Sequence, residues 1–355
     1  MNKELIKRLC FADGASGQEK EVTRIMKEYF ATSLDEIMYD HIGSIVGIKK
    51  GREDIKVLMT AHVDEIGMIV KEIDDRGFVR VQQVGTLFAH SLGAQEMILT
   101  TREGKKIKGI VGTHAKKKEF ILNKDVIPID DIIIDFGVYN KQELLNLGVR
   151  IGDQITPNGY FEELNNPDFI AAKAWDDRVG VSLLIELANR IKDSSIPSNL
   201  FFAGTVQEEV GLRGARTVGQ LVEADVSIAI DVYPCKDTSN DQDSDFKLGE
   251  GCCLCILDTT SIAHIGMIDY LERLAKKYGI KYQETMLSRG GTDSGELHKI
   301  KNGSVNITLA IPNRYVHTQR SIINKKDYEA SLDLLTQFVL TFNTADFKVI
   351  RSYKE

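Results

Sequence analysis

The chain has 355 residues, of which 43% are hydrophobic and 27% charged, and a formal net charge of −7. Its length allows more than one domain with a sizeable core, and the acid excess excludes the basic footprint of a nucleic-acid-binding surface. Residues 1–10 carry no signal-peptide core, no apolar run reaches the roughly 20 residues of a transmembrane helix, and the five cysteines are an odd number; the expectation is a cytoplasmic protein with reduced thiols and no membrane or nucleic-acid partner.

Residues 3–29 show helical periodicity in two pieces, marked by Leu5/Leu9 and by Val22/Ile25/Met26/Tyr29 and split by Asp13-Gly14-Ala15-Ser16-Gly17. The apolar run 55–61 predicts a buried strand. From there the texture changes to hairpins: 68–84 turns at Asp74-Asp75-Arg76-Gly77, and 96–111 turns at Arg102-Glu103-Gly104-Lys105. Little helix is expected before residue 168. Strand–helix alternation then returns, with apolar runs at 169–174, 200–206, 226–230 and 305–311 and helices at 179–191 and 268–278. This pattern predicts an α/β fold: a mixed-sheet α/β/α domain from residues 1–66 plus 168–355, with an inserted all-β, barrel-like domain at 67–167.

Each buried strand is followed by polar residues of one kind. After 55–61 comes His62-Val63-Asp64; after 169–174, Asp176 and Asp177; after 200–206, Glu208 and Glu209; after 226–230, Asp231; and after 305–311, past a Pro312-Asn313-Arg314-Tyr315-Val316 turn, His317. The carboxyl ends of parallel strands line one crevice of an open sheet. A strand-end acid is usually solvated or capping, and a lone histidine is usually a satisfied polar group, but five in register point to one site. Imidazole with carboxylate suits zinc, cobalt or manganese, and the number of donors exceeds what a single tetrahedral ion needs. Residues two apart on a strand face one way, so Asp64 is placed to fix the His62 tautomer. The adjacent glutamates diverge, which suits one to bind metal and the other to act as a general base.

At these residues the sequence resembles the co-catalytic metallo-aminopeptidases called glutamyl, deblocking or tetrahedral aminopeptidases. The matching stretches are AHVDEIGMIV (61–70), GVRIGDQITP (148–157), KAWDDRVG (173–180), QEEVGLRGA (207–215), IAIDV (228–232), GGTDSG (290–295) and IPNRYVHT (311–318), in family order over nearly the whole chain. The resemblance implies two divalent cations, zinc or cobalt, with His62, Asp176 and Asp231 holding one and Asp176, Glu209 and His317 the other. It implies Glu208 as the general base, Asp64 as the partner of His62, and a cis Asp176–Asp177 peptide. It also implies that 67–167 is a dimerisation domain, that dimers close into a hollow dodecamer with inward-facing sites, and that the substrates are short peptides. Two departures stand out: Ser294 replaces the family's usual alanine, and VGTHAKKK (111–118) replaces an often proline-rich stretch.

Two rival functions are weaker. Paired glycosidase carboxylates face each other across roughly 5–9.5 Å, which neighbouring Glu208 and Glu209 cannot do, and that chemistry leaves His62 and His317 idle. An inactive scaffold would not need every expected ligand intact. The Cys252-Cys253-Leu254-Cys255 run lacks the spacing of a structural zinc site and reads as core. His114 and Lys116-Lys117-Lys118 read as a solvated loop, and His90 and His298 as candidates without an assigned role.

Overall fold

The computed structural model describes residues 1–113, 128–235, 237–238 and 246–352. The chain opens with α1 (Lys3–Phe11) and α2 (Lys20–Ser33), the two helical pieces read from the sequence. Strands β1 (Glu36–Tyr39), β2 (Ile45–Lys49) and β3 (Glu53–His62) follow. Next come β4 (Gly67–Ile73), β5 (Val79–Val84), β6 (Glu96–Thr100), β7 (Lys106–Val111), β8 (Ile133–Asp135), the short helix α3 (Lys141–Asn146) and β9 (Gln154–Pro157). The rest alternates: β10 (Phe161–Glu163), β11 (Phe169–Ala172), α4 (Trp175–Ile191), β12 (Ser198–Thr205), α5 (Arg213–Val222), β13 (Val226–Pro234), β14 (Cys252–Leu257), α6 (Ile265–Tyr278), β15 (Tyr282–Met286), α7 (Ser294–Leu297), β16 (Val305–Arg314), β17 (Ser321–Asn324), α8 (Lys325–Thr341) and α9 (Thr344–Ile350).

Eleven strands form one mixed sheet in the order β1-β2-β12-β3-β13-β16-β17-β11-β10, with β14 and β15 branching from β16. Its middle strands β12, β3, β13 and β16 are parallel. They are apolar along their whole length because helices cover both faces. Val57, Met59 and Ala61 of β3 join the core shared with α4, while Leu58 packs with Ala215 and Val218 of α5 on the opposite face. β11 is separated from β16 by two antiparallel steps through β17, so it points the same way as the central strands. The carboxyl ends of all five strands therefore open on one edge. Register fixes the neighbours: Thr205 pairs with His62, and Asp231 pairs with Ala310.

Two strands run further than their sequence suggests. β13 continues through Asp231 to Pro234, and β16 through Pro312 to Arg314, the two pairing as far as Pro234 and Asn313. The expected turn after Ile311 is thus strand. Pro312 is tolerated because on its other side it falls between residues 308–310, paired with β14, and 313–314, paired with β17.

β4, β5, β8, β7, β6 and β9 close into a barrel, which removes free edges. Alternate residues such as Met68, Val70, Val79, Val81, Met97 and Leu99 fill it. The barrel's last strand ends at Pro157, and β10 already pairs with β11 in the large sheet, so the chain returns to that sheet about ten residues before position 168. Among the described residues no helix is long and apolar enough to cross a membrane.

The barrel and the large sheet meet over buried charge. Asp13, in the loop between α1 and α2, accepts hydrogen bonds from Thr100 (3.0 Å) and Thr156 (2.8 Å) of the barrel. It also lies 3.0 Å from Lys173 Nζ and 2.9 Å from Lys106 Nζ. Lys173 is 3.1 Å and Arg178 3.2 Å from Glu65. Asp13, Glu65, Lys173 and Arg178 are all at most 2% exposed. Breaking such a group by removing one member costs about 3–5 kcal/mol, so Lys173→Met should lower stability by that order in urea unfolding, against a much smaller loss for the half-exposed Lys106→Met. Burial pushes the Asp13 carboxyl up, but the Lys173 ammonium and the Lys106 hydrogen bond outweigh it and hold the group below the ordinary carboxylate range. The ionised form therefore favours the fold: its contribution is complete above the unfolded value of about 4 and is lost as pH falls through the lower folded value. The acid limb of the stability profile should flatten in Lys173→Met.

Candidate metal centre at the strand ends

β3 stops at His62, and the imidazole is buried there. Its Nε2 lies 2.7 Å from Asp176 Oδ1 and 4.0 Å from Asp231 Oδ1. Its Nδ1 lies 3.1 Å from the backbone oxygen of Asp64 and 3.5 Å from Asp64 Oδ1. The nearer acceptor is the carbonyl, which fixes a proton on Nδ1 and turns Nε2 to the other acids. The Asp64 carboxylate is a second, longer neighbour of the same nitrogen. That carboxylate also has other partners. It accepts the backbone N–H of Glu208 (3.0 Å), the backbone N–H of Glu209 (3.2 Å) and the Ser16 hydroxyl (2.6 Å). Asp64 thus grips the backbone of the adjacent glutamates.

Asp176 and Asp177 lie at the start of α4, where the backbone is not yet helical, and the peptide between them is cis. The two oxygens of Asp176 face different histidines: Oδ1 faces His62, and Oδ2 lies 3.2 Å from His317 Nε2. His317 Nε2 is in turn 3.6 Å from Glu209 Oε1, a buried oxygen with no hydrogen-bond partner. One donor atom each from His62, Asp176 and Glu209 lie within 4.8 Å of one another, as do those of His62, Asp177 and Asp231. Asp177, which the sequence reading placed at the strand ends without a ligand role, is thus a member of the cluster. Its oxygens accept the N–H groups of His62 (3.2 Å) and Gly180 (3.0 Å).

Backbone strain gathers on the same segments. Ala174, Gln207, Leu212, Tyr315 and His317 all have φ between 53° and 63°, a region costly for side-chain-bearing residues and common at functional sites. Gln207 is held there by its N–H, which donates to Glu19 Oε1 at 3.1 Å.

The charges do not balance. Burial, then the field of neighbouring acids, pushes Glu208 and Asp231 well above the carboxylate range and Glu209 up to about 8. Burial alone would raise Asp176 too, but its hydrogen bonds to His317 and His62 hold it low. Burial would lower His317, yet Asp176 and Glu209 lift it to about 9. Acids crowded in this way are relieved by cations. An unpartnered carboxylate oxygen, a carboxylate shared between two imidazoles and a mixed nitrogen–oxygen donor set all fit divalent ions of the zinc and cobalt type.

The remaining sequence candidates fall outside the cluster. His298 Nδ1 contacts the Ser294 carbonyl oxygen at 2.7 Å, and His90 lies on the barrel. His114 and Lys116-Lys117-Lys118 lie outside the described residues. Cys252, Cys253 and Cys255 are buried free thiols that burial pushes upward, as expected of core residues. The Ser294 hydroxyl accepts from Thr308 (3.0 Å) and touches none of the cluster's acids. Sequence reasoning missed Ser16, Glu19 and Asp293, whose Oδ2 accepts from the Thr205 hydroxyl at 2.6 Å. The one available signal was the GGTDSG stretch.

The M42 glutamyl aminopeptidase family matches residues 43–334. The putative aminopeptidase FrvX of Escherichia coli (strain K12) is 31% identical, covering 100% of this chain and 99% of that protein. The crystal structure of a TET aminopeptidase from Thaumarchaeota archaeon SCGC AB-539-E09 superposes with a TM-score of 0.93 at 31% identity, covering 98% of this chain and 99% of that one. The TET1 peptidase of Pyrococcus horikoshii, described as assembling into a tetrahedron or a large octahedral shell, superposes with a TM-score of 0.86 at 28% identity, over 96% and 99% of the two chains.

Gly180 tests how tightly Asp177 is held. A Cβ on it would fall 2.5 Å from each Asp177 oxygen. Helix propensity alone favours alanine by roughly 1 kcal/mol, so a net loss isolates the clash. Gly180→Ala should destabilise by about 1–3 kcal/mol in chemical unfolding. Gly93→Ala, whose Cβ has nothing nearer than 4.0 Å, should stay near wild type.

Proposed function

Because this chain belongs to the M42 glutamyl aminopeptidase family and is a peptide hydrolase, we propose that its strand-end cluster holds two divalent cations, with Asp176 between them. His62, Asp176 and Asp231 hold one, and Asp176, Glu209 and His317 the other. The supporting observation is that each Asp176 oxygen faces a different histidine. Zinc and cobalt both suit these donors; bound there, they polarise the scissile carbonyl and lower the pKa of the attacking water. Asp177, with both oxygens on backbone N–H groups, positions His62 rather than binding.

Glu208 is the general base. Its carboxylate takes the proton of the attacking water and passes it to the departing amine. Asp64 serves both glutamates by holding their backbone N–H groups, so that neighbouring side chains diverge toward their separate tasks. Residues 67–157 form an inserted unit for assembly, within a peptidase domain made of 1–66 and the chain from β10 onward. The chain forms homo-oligomers, from dimer to hollow dodecamer, in which inward-facing sites admit short peptides. The tetrahedral or octahedral assembly of the Pyrococcus horikoshii relative supports this.

Glu208→Gln should keep both cations and lose about 10²–10⁴-fold in turnover, whereas Glu209→Ala should lose or weaken one. Metal analysis beside a peptide hydrolysis assay reads both, and an emptied Glu208→Gln site with a full Glu209→Ala site reverses the roles. Light scattering of the loaded protein should give a particle far larger than a monomer, inert on tightly folded proteins. A fully active monomer refutes the assembly reading.

A further inference from the structure

The barrel reaches the site through the turn that follows β5. Gly85 (φ 76°) lies against the acid loop: a Cβ on it would fall 3.2 Å from Glu209 Cβ and 3.0 Å from Ile66 Cγ2. Three residues on, the Phe88 ring centroid is 6.3 Å from that of His317, and the His90 ring is 5.7 Å from Phe88 on the same short turn. The turn is anchored on both sides. Gln83 Nε2 donates to the Gly85 oxygen (3.0 Å), Ser91 Oγ donates to the Phe88 oxygen (2.8 Å), and Leu87 is buried in the barrel core. Yet Phe88 itself is 41% exposed. A single exposed aromatic is unremarkable by itself; one held in place beside His317, on a turn whose Gly85 lies against Glu209, is set where substrate must pass.

We propose that Phe88 is a specificity-determining residue, packing against the side chain that follows the scissile bond and favouring peptides whose second residue is aromatic or large and aliphatic. The proposal rests on the reading that the strand-end cluster is the aminopeptidase centre. A substrate of such an enzyme ends at its first residue, so only the chain beyond the scissile bond extends out over the rim. Phe88 comes from the barrel and is open to solvent, which places it with that departing chain. An aromatic face takes an offset or edge-on ring from a partner, and His90 extends the same surface.

The test uses the cation-loaded full chain and dipeptides that share one N-terminal residue the enzyme cleaves and differ in the second: Phe, Leu or Gly. The wild-type ratio of kcat/KM for Phe over Gly should be about tenfold, the low end for an apolar contact. It should fall to near one in Phe88→Ala, through KM rather than kcat, and be kept in Phe88→Trp. Phe88→Leu, which preserves bulk, should retain the leucine preference and lose the aromatic one, so a poorly folding Phe88→Ala does not decide the matter. Calorimetric binding of the same dipeptides in a Glu208→Gln background should show the same contrast without turnover. An unchanged ratio in both Phe88→Ala and Phe88→Leu overturns the proposal, as does a change confined to the first residue's preference. Failure of wild-type enzyme to cleave any peptide would instead overturn the aminopeptidase centre itself.

Discussion

Crowded negative charge is the constraint around which this molecule is built. Asp64, Asp176, Asp177, Glu208, Glu209 and Asp231 share one sheet edge with two histidines, and the structure meets that load unevenly. Asp64 has two backbone N–H groups and a hydroxyl, Asp177 has two backbone N–H groups, and Asp176 has an imidazole on each oxygen. Glu209 keeps a buried oxygen with no partner, and Asp231 accepts one backbone N–H, from Val232 at 2.7 Å, with His62 4.0 Å away. Asp64 and Asp177, satisfied by fixed backbone donors, are suited to positioning. Asp176, held by imidazoles alone, and Glu209 and Asp231, short of donors, are the acids whose charge a cation would offset. The division of labour between neighbouring residues thus follows from hydrogen-bond accounting.

The loop between α1 and α2 carries more of this arrangement than its length suggests. Asp13 joins it to the barrel and to Lys173. Ser16 donates to Asp64, and Glu19 accepts from the N–H of Gln207, the left-handed residue that launches Glu208 and Glu209. The connector between Phe11 and Lys20 therefore touches the barrel, the carboxylate that grips the glutamates, and the glutamate loop itself. Burial raises Glu19 to about 7 even though backbone N–H groups, those of Gly17 and Gln207 among them, oppose the shift.

The strand ends were legible in the sequence because parallel strands covered on both faces read as unbroken apolar runs, so an acid or histidine after each run stands out. The same logic made the barrel visible as a change to short hairpins. What escaped was whatever depends on contacts between distant segments. Ser16 and Glu19 sit in a stretch that reads as a plain helix breaker. Pro312 signalled a turn, and only the gap between two partner strands makes it compatible with the ladder. Asp293 carried no periodicity of its own, and its partner, Thr205, is set by tertiary packing.

The point of insertion explains why the barrel bears on the site at all. The chain leaves the large sheet at the carboxyl end of β3, with Glu65 bridged to Ala15 and β4 starting at Gly67, only a few residues beyond His62 and Asp64. An insertion at the opposite end of that strand would hang a domain far from the crevice. Inserted here, the barrel is tethered at the crevice mouth, and the hydrogen bonds from Thr100 and Thr156 to Asp13 hold it there from the other side. Its first inter-strand turn after β5 then falls against Glu209 and His317. Inserted at this point, the barrel contributes its turn to the rim of the crevice, beside the strand-end donors.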